Sequence, residues 1–82
     1  MESKIQERIV KNLERRGWYV VKIIQCTKNG WPDLQAVKGG KTVYIEVKDI
    51  GKEPDPLQLM RHKELRSAGA AVYVTDNKNF TL

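Results

Sequence analysis

Two acids and a lysine on either side of a double glycine are the residues of this sequence best placed to do chemistry. If Gly39-Gly40 forms a two-residue type I′ turn, which Gly-Gly favours, paired positions in the flanking strands add up to 79. This register places Asp33 directly opposite Glu46, and Lys48, two residues further on, lies on the same face. Like charges at opposed positions destabilise a strand pair by about 0.2–1 kcal/mol, so a positive partner is expected there.

Two kinds of positive partner fit these acids. Lys48 can form a structural ion pair with them, or a divalent cation can bridge the two carboxylates. Mg²⁺ accepts hard oxygen ligands while keeping several waters, and in metal-assisted hydrolysis such an ion stabilises charge on a phosphate. Lys48 would then be free to position or deprotonate a water, or to hold the scissile phosphate. Charges alternating with Val and Ile are also ordinary on a solvated strand, so the pattern alone leaves both interpretations open.

The rest of the sequence predicts the elements that position these residues. Apolar spacing distinguishes helices from β-branched and aromatic strands, and an Asp-Pro pair is typical of a helix start. The predicted elements are a helix over residues 3–16, a strand over 18–26, strands over 33–38 and 41–48, a helix from Asp55-Pro56 to Gly69, and a strand over 70–76.

Length and charge limit the class of protein. The 82 residues suffice for one domain, residues 1–82. A domain this small buries only about 60% of the surface its unfolded chain exposes, so its core is thin. Self-association would add to its stability. The net charge of +5 is compatible with a merely soluble surface, but it also favours a polyanionic partner.

Cysteine content and hydropathy exclude several further classes. Cys26 is the only cysteine, so the sequence offers neither an internal disulfide nor a cysteine pair for zinc. The N-terminal MESKIQERIV lacks the apolar core of a signal peptide, and no apolar run approaches the roughly 20 residues of a membrane span. We therefore expect an intracellular protein without a membrane partner.

The ordered motifs resemble a known nuclease superfamily. GWPD followed by IEVK resembles the PD-(D/E)XK signature, here Pro32-Asp33 and Glu46-Val47-Lys48. Together with the short Gly-Gly hairpin, PLQLMRHKEL and the AGAAVYV strand, the chain looks like a stand-alone virus-type replication-repair nuclease (VRR-NUC) domain of the phage kind, over roughly residues 2–76. The resemblance implies a restriction-endonuclease-like α/β (α+β) fold, with a mixed four-stranded sheet flanked by two helices.

The resemblance also implies a function. We expect a Mg²⁺- or Mn²⁺-dependent DNA endonuclease for branched or flapped DNA, working as a homodimer inside a bacterium or a bacterial host. Asp33, Glu46 and the main-chain carbonyl of Val47 would be metal ligands, with Lys48 near the attacking water. Two alternatives are a catalytically silent DNA-binding module of the same fold, and a small interaction protein whose acids merely decorate its surface.

A glutamine of the second helix is a further catalytic candidate carried over from the family. Gln58 matches that position and borders a predicted apolar stripe. The sequence Asp55-x-x-Gln58 is also a capping box, in which the glutamine simply closes the helix start. The predicted stripe consists of Leu57, Met60, Leu65 and Ala68.

The family also uses a glutamate of the first helix, for which there are two candidates. Glu2 falls on the apolar face of that helix, whereas Glu7 lies on its flank, so Glu2 is predicted as the catalytic and metal-ligating acid. The capping box Ser3-x-x-Gln6 would instead leave Glu2 outside the helix, where it would make only a favourable contact with the helix dipole.

Other basic and polar residues are candidates for DNA contact. Trp31 can stack on a base, although packing in the core or in a dimer is favoured, and His62 is predicted on the surface of the second helix. The basic run Arg8, Lys11, Arg15 and Arg16 is interpreted as a solvated helix face. The predicted nucleic-acid-binding residues are Lys22, Lys28, Asn29, Lys48, Gln58 and Arg61.

Overall fold

The computed structural model describes residues 2–82, and the predicted α-β-β-β-α-β order is confirmed. The elements are α1 (Glu2–Arg15), β1 (Tyr19–Lys22), β2 (Leu34–Lys38), β3 (Lys41–Val47), α2 (Pro56–Ser67) and β4 (Ala71–Thr75). The strands form one mixed sheet in the order β1-β2-β3-β4. The first three strands pair antiparallel, and β4 joins β3 in parallel after the crossover through α2.

The double glycine fixes the central hairpin as predicted. Gly39 and Gly40 have φ angles of +57° and +79°, as a type I′ turn requires. Lys38 pairs with Lys41, and the ladder continues to Leu34 opposite Ile45. The side-chain alternation therefore assigns every residue of the hairpin to a known face of the sheet.

The main hydrophobic core lies between α1 and one face of the sheet. Ile5, Ile9 and Leu13 recur every four residues and form a single buried stripe on α1. The helix ends at a Schellman motif, in which the Trp18 amide donates to the Leu13 carbonyl and Gly17 has a φ angle of +88°. The sheet contributes Leu34, Ala36, Val43, Ile45 and Val47 to this core.

The opposite face of the sheet, under α2, is smaller and more polar. Among residues 2–82, only Leu65 of α2 and Val72 of β4 are buried apolar side chains in this layer. Leu57 and Met60, placed by the sequence on an apolar stripe, are exposed instead, so that part of the stripe prediction is wrong. The remaining buried volume is occupied by two titratable side chains, Glu46 and His62.

The first strand is shorter than the sequence predicts. Strand β1 covers four residues rather than residues 18–26. One further bond runs from the Ile23 amide to the Asp33 carbonyl at 2.8 Å. The partner strand begins only at Leu34, and Pro32 carries no N–H to donate, so the ladder stops there. Ile24 is consequently 87% exposed rather than part of a strand.

Within residues 2–82, neither helix is long and apolar enough to cross a lipid bilayer.

Candidate active site

Asp33 lies one step beyond the last paired residues of the β2–β3 hairpin. Its carboxylate oxygen Oδ2 accepts a hydrogen bond of 2.8 Å from the Val47 amide, in place of a ladder bond. Its carbonyl accepts from Ile23, so both ends of the residue are held by neighbouring strands. Pro32, which is fully buried, fixes the chain before it. The Asp33 carboxylate is therefore positioned by backbone rather than by a mobile loop.

Glu46 is a completely buried acid on the α2 face of β3. Burial is the largest cause that raises the pKa of its carboxyl to about 9. A hydrogen bond and the negative charge of Asp33 raise this pKa further, while the positive charge of Lys48 opposes them. The predicted juxtaposition of Asp33 and Glu46, with Lys48 beside them, is therefore what the structure contains.

Two side chains of α2, one helical turn apart, contact the Glu46 carboxyl. Gln58 Nε2 donates to Oε2 at 3.4 Å, and His62 Nε2 lies 3.2 Å from Oε1. Gln58 also completes the capping box. Its side-chain Oε1 accepts from the Asp55 backbone amide at 3.0 Å, and its backbone amide donates to the Asp55 side chain. The capping and site interpretations of Gln58 are thus compatible, because the oxygen of its side chain caps α2 while the nitrogen contacts Glu46.

His62 is the site residue that sequence reasoning placed wrongly. It was expected at the surface, yet its ring is fully buried against Glu46. Burial lowers the pKa of His62, and the charges of Arg66 and Lys48 lower it further, against a smaller opposite effect from Asp33. When the His62 ring is neutral, the hydrogen bond between its Nε2 and Glu46 Oε1 contains one proton. Either Nε2 or the Glu46 carboxyl carries that proton. His62 Nδ1 has no hydrogen-bond partner in the described part of the chain.

A sequence signal for His62 does exist. The residue lies four positions after Gln58 and three before Leu65, which is the spacing of one helical stripe. The predicted stripe of Leu57, Met60, Leu65 and Ala68 contains Leu65 but passes over His62, because histidine is polar.

The first helix presents Glu2, rather than Glu7, towards the site. Helix α1 begins at Glu2, so Ser3 is not its N-cap and the capping-box alternative is not adopted. The negative charge of Glu2 is the smallest of the causes that raise the pKa of Glu46. Glu7 is exposed and pairs with Lys11 at 3.4 Å. A catalytic role for Glu2 stays a prediction.

The candidate DNA-binding residues lie in different surroundings. Lys22 pairs with Leu34 and so projects from the α1 face, beside Ser3 and Glu7. Arg61 holds the loop before β2 onto α2, because its Nε donates to the Asn29 carbonyl at 2.8 Å.

Trp31 and Lys28 lie in the loop that leads to Asp33. Trp31 packs edge-on against Tyr44 at 5.7 Å between ring centroids, as the packing interpretation expected. Lys28 is exposed in the loop that borders Asp33. Contacts of these residues with DNA stay predictions.

The donors at this point fit a divalent cation. Among residues 2–82, no group of three or more His, Cys, Asp or Glu side chains is placed to hold a metal ion. Mg²⁺, however, is commonly bound by one or two carboxylates and keeps several waters. Asp33 and Glu46 supply that pair, and their mutual contact is the arrangement that a positive charge would stabilise.

A sheet of this topology between two helices, with Asp, Glu and Lys at the end of its central hairpin, belongs to the class of PD-(D/E)XK nucleases. A model of the archaeal Holliday junction resolvases (Hjc) matches residues 3–69, and the chain belongs to this nuclease family. A solved structure described as "VRR_NUC domain" superimposes with a TM-score of 0.80 at 35% identity, covering 89% of this chain and 81% of that one. The protein described as "Putative nuclease p44", from Acyrthosiphon pisum secondary endosymbiont phage 1, is 31% identical over 81 residues, covering 98% of this chain and 87% of the relative. The VRR-NUC resemblance is thus confirmed.

Proposed function

We propose that this protein is a Mg²⁺- or Mn²⁺-dependent endonuclease that cuts branched or flapped DNA during replication, repair or recombination. The observation that carries the proposal is the position of the Asp33 carboxylate, bonded to the Val47 amide, beside the fully buried Glu46 carboxyl, with the Lys48 charge acting on the same acid. Two acids in contact under a helix raise the cost of folding, so their presence is best explained by a cation and a phosphate that use them.

The site residues divide between holding the ion and arranging the reaction. Asp33, Glu46 and the Val47 carbonyl would hold it, and Gln58 with His62 would keep the Glu46 carboxyl in one orientation. The chemistry supplied by a bound Mg²⁺ or Mn²⁺ is stabilisation of charge on the phosphate and a more acidic water. Lys48 would neutralise charge on the scissile phosphate or orient the attacking water.

Charge and family support DNA as the substrate. The net charge of +5 favours a polyphosphate partner, which releases condensed counterions as lysines and arginines neutralise it. The family that matches this chain is described as Holliday junction resolvases, which supports a branched substrate.

An apolar patch on the α2–β4 side supports a homodimer. Leu59 is 53% exposed and Val74 is 41% exposed, and both line one shallow depression with Pro54. Charges of both signs, from Lys52, Glu53 and Asp76, surround it, so two copies related by a two-fold axis can pair opposite charges. Two sites in such a dimer would suit a two-fold symmetric junction. We therefore propose a second copy of this chain as the occupant of the patch.

The function is tested by incubating the protein with labelled four-way junction, flap and linear duplex, in Mg²⁺, in Mn²⁺ or in EDTA. We expect cleavage of branched DNA that requires the metal. Binding of junctions without any metal-dependent cutting would indicate the catalytically silent module instead. Absence of salt-sensitive DNA binding would exclude both.

Substitution of the site residues gives a sharper result. Asp33→Ala and Glu46→Ala should lower the cleavage rate by about 10²-fold or more, while junction affinity is kept or increased because repulsion toward phosphate is removed. Lys48→Ala should lose turnover to a similar extent. Glu14→Ala, which removes an exposed acid outside the site, is the matched control and should cut at the wild-type rate. Wild-type cleavage by Asp33→Ala or Glu46→Ala would show that the site is elsewhere.

A further inference from the structure

A basic surface groove runs between α1 and the C-terminal residues 77–82. Its first half is a depression bordered by Lys4, Arg8, Lys11, Ile50 and Lys78. Its second half is bordered by Asn12, Arg15, Arg16, Asn79 and Thr81. Asn12 Nδ2 donates to the Lys78 carbonyl at 3.2 Å where the two halves meet, so the C-terminal segment is held beside the helix. We refer to the two halves together as the α1–tail groove.

Positive charge dominates this groove. One acid, Glu7, also borders it, and this acid is paired with Lys11. Arg8 and Arg15 are seven residues apart, so they lie on one line of α1 about 10 Å from each other. A helix of 14 residues is about 21 Å long, which corresponds to about six base pairs of duplex. The cations of the groove are Lys4, Arg8, Lys11, Arg15, Arg16 and Lys78.

One end of the groove lies at the start of α1 and at the loop that follows β3. Lys4 borders it from the first turn of α1. Ile50 is two residues after Lys48 and borders the same end. From there the groove follows α1, on the sheet face opposite α2, towards Arg16. A duplex arm that follows this groove would meet the cations of its two halves in turn.

We infer that the α1–tail groove binds the phosphate backbone of a double-stranded DNA arm that extends from the cleavage site. The inference rests on the proposed function for its substrate, and it replaces the interpretation of the basic run on α1 as a merely solvated face. A second copy of the chain is a poor occupant, because two facing grooves would bring like charges together. Duplex DNA supplies regularly spaced negative charge of the opposite sign over the same length.

The test is the salt dependence of junction binding, measured by fluorescence anisotropy in EDTA, where no cleavage intervenes. The variant Arg8→Gln/Arg15→Gln removes one cation from each half of the groove. The matched control, Lys41→Gln/Lys63→Gln, removes two exposed cations outside it. Arg8→Lys/Arg15→Lys keeps both charges and serves as the rescue. All four positions are exposed, so melting temperatures should stay close to wild type.

We expect the groove variant to bind long-armed junctions about tenfold or more weakly, with a slope of log K against log salt reduced by about 1.8, since each lost phosphate contact removes about 0.9. The control and the rescue should keep the wild-type slope. Junctions with arms of only about three base pairs, too short to follow the helix, should not distinguish the groove variant from wild type.

Equal slopes for the groove variant and the control on long-armed junctions would overturn the inference. So would an equal loss on long and short arms, because the contacts would then lie at the junction centre. The outcome is independent of catalysis. If the protein cuts no DNA but the slope of the groove variant is reduced as expected, the groove inference is supported and the proposed cleavage is wrong. If the protein cuts DNA and the slopes of the groove variant and the control agree, only the groove inference is wrong.

Discussion

At the scale of single residues, the central feature is an acid held in place from two sides. Glu46 meets Asp33 within the sheet and is gripped by Gln58 and His62 from α2. Each oxygen of its carboxyl has a different partner on the helix, which leaves the side chain one orientation. Such neighbours of a metal-binding carboxylate contribute by orienting it, and their loss typically costs about 10–100-fold in metal affinity or activity.

His62 is therefore expected to act as a positioning residue. His62→Ala should raise the Mn²⁺ concentration for half-maximal cleavage by about 10–100-fold, because Glu46 loses the partner of Oε1. His62→Gln keeps an amide that can either donate to or accept from Glu46 Oε1, and it should recover part of the loss. The measurement is a metal titration of junction cleavage, with junction affinity in EDTA as the control. A metal midpoint unchanged in His62→Ala would confine His62 to packing.

The sequence made the acid pair predictable but not its histidine partner. Alternation along a strand has a period of two, and Gly39-Gly40 fixes the register, so the face of Asp33 and of Glu46 followed directly. His62 was missed because a polar residue was assigned to the polar side of a helix. The layer beneath α2 buries two polar side chains, Glu46 and His62, so hydrophobicity is a poor guide to burial in it.

At the scale of elements, the close approach of the loop before β2 to the start of α2 brings the two halves of the site together. Gly30 has a φ angle of +82°, and a Cβ on it would lie 2.9 Å from Leu57 Cγ and 3.2 Å from the Gln58 amide nitrogen. Arg61 fastens the same loop through the Asn29 carbonyl. The position of Gln58 above Glu46 therefore depends on a glycine in the loop that leads to Asp33.

Gly30→Ala should consequently destabilise the protein and impair cleavage together. Gly51→Ala is the matched control, because Gly51 has a similar φ of +78° but nothing within 4 Å of its virtual Cβ. Both variants carry the strain of a positive φ, of order 1 kcal/mol, and Gly30→Ala adds the clash with α2. We expect a melting temperature several degrees lower for Gly30→Ala than for Gly51→Ala, with a lower cleavage rate only in the former. Equal losses of melting temperature and cleavage rate in Gly30→Ala and Gly51→Ala would show that the close packing of Gly30 against α2 is unimportant.

The length of β1 illustrates what element prediction misses. The run from Trp18 to Cys26 is β-branched and aromatic, so composition favoured a long strand. A strand needs a partner, however, and β2 offers none beyond the Ile23–Asp33 bond because the chain turns at Pro32. The α1 and hairpin predictions succeeded because their signals are local, whereas the end of β1 is decided by the neighbouring strand.

At the scale of the whole molecule, the arrangement of exposed surfaces suggests different roles for its two sides. The α2–β4 side carries the apolar patch around Leu59 and Val74, and the α1 side carries the basic groove. A dimer through the first would leave both grooves free for DNA. This division agrees with the thin core expected of 82 residues, because dimer formation would cover apolar surface that one copy leaves exposed.

The dimer is tested by placing a charge in the patch. Leu59→Glu/Val74→Glu should convert the protein from dimer to monomer, since like charges would then face each other across the two-fold axis. The measurement is light scattering coupled to size-exclusion chromatography. Tyr19→Glu, at an exposed position on β1, is the control and should stay dimeric. Monomeric wild-type protein at micromolar concentration, or a double variant that remains dimeric, would contradict this interface.

The raised pKa of Glu46 makes stability depend on pH in a defined direction. In the absence of metal, the carboxyl holds its proton in the folded state up to about pH 9 but loses it near 4.5 when unfolded. Its contribution to stability is therefore complete below pH 4.5 and is lost as pH rises towards 9. The lowered pKa of His62 acts in the other direction and only below about pH 6.5, where protonation favours the unfolded chain.

The central claim, that Asp33 and Glu46 form a cation site, is tested most directly by melting curves of wild type and Glu46→Gln between pH 7 and 9. In EDTA, the wild-type melting temperature should fall with pH relative to that of Glu46→Gln, whose amide cannot ionise. Mn²⁺ at about 100 times its dissociation constant should stabilise the wild type by about 2.7 kcal/mol, or about 10 °C or more for a domain of this size, and leave Glu46→Gln nearly unchanged. An equal response of both proteins to Mn²⁺, or none in either, would contradict the account.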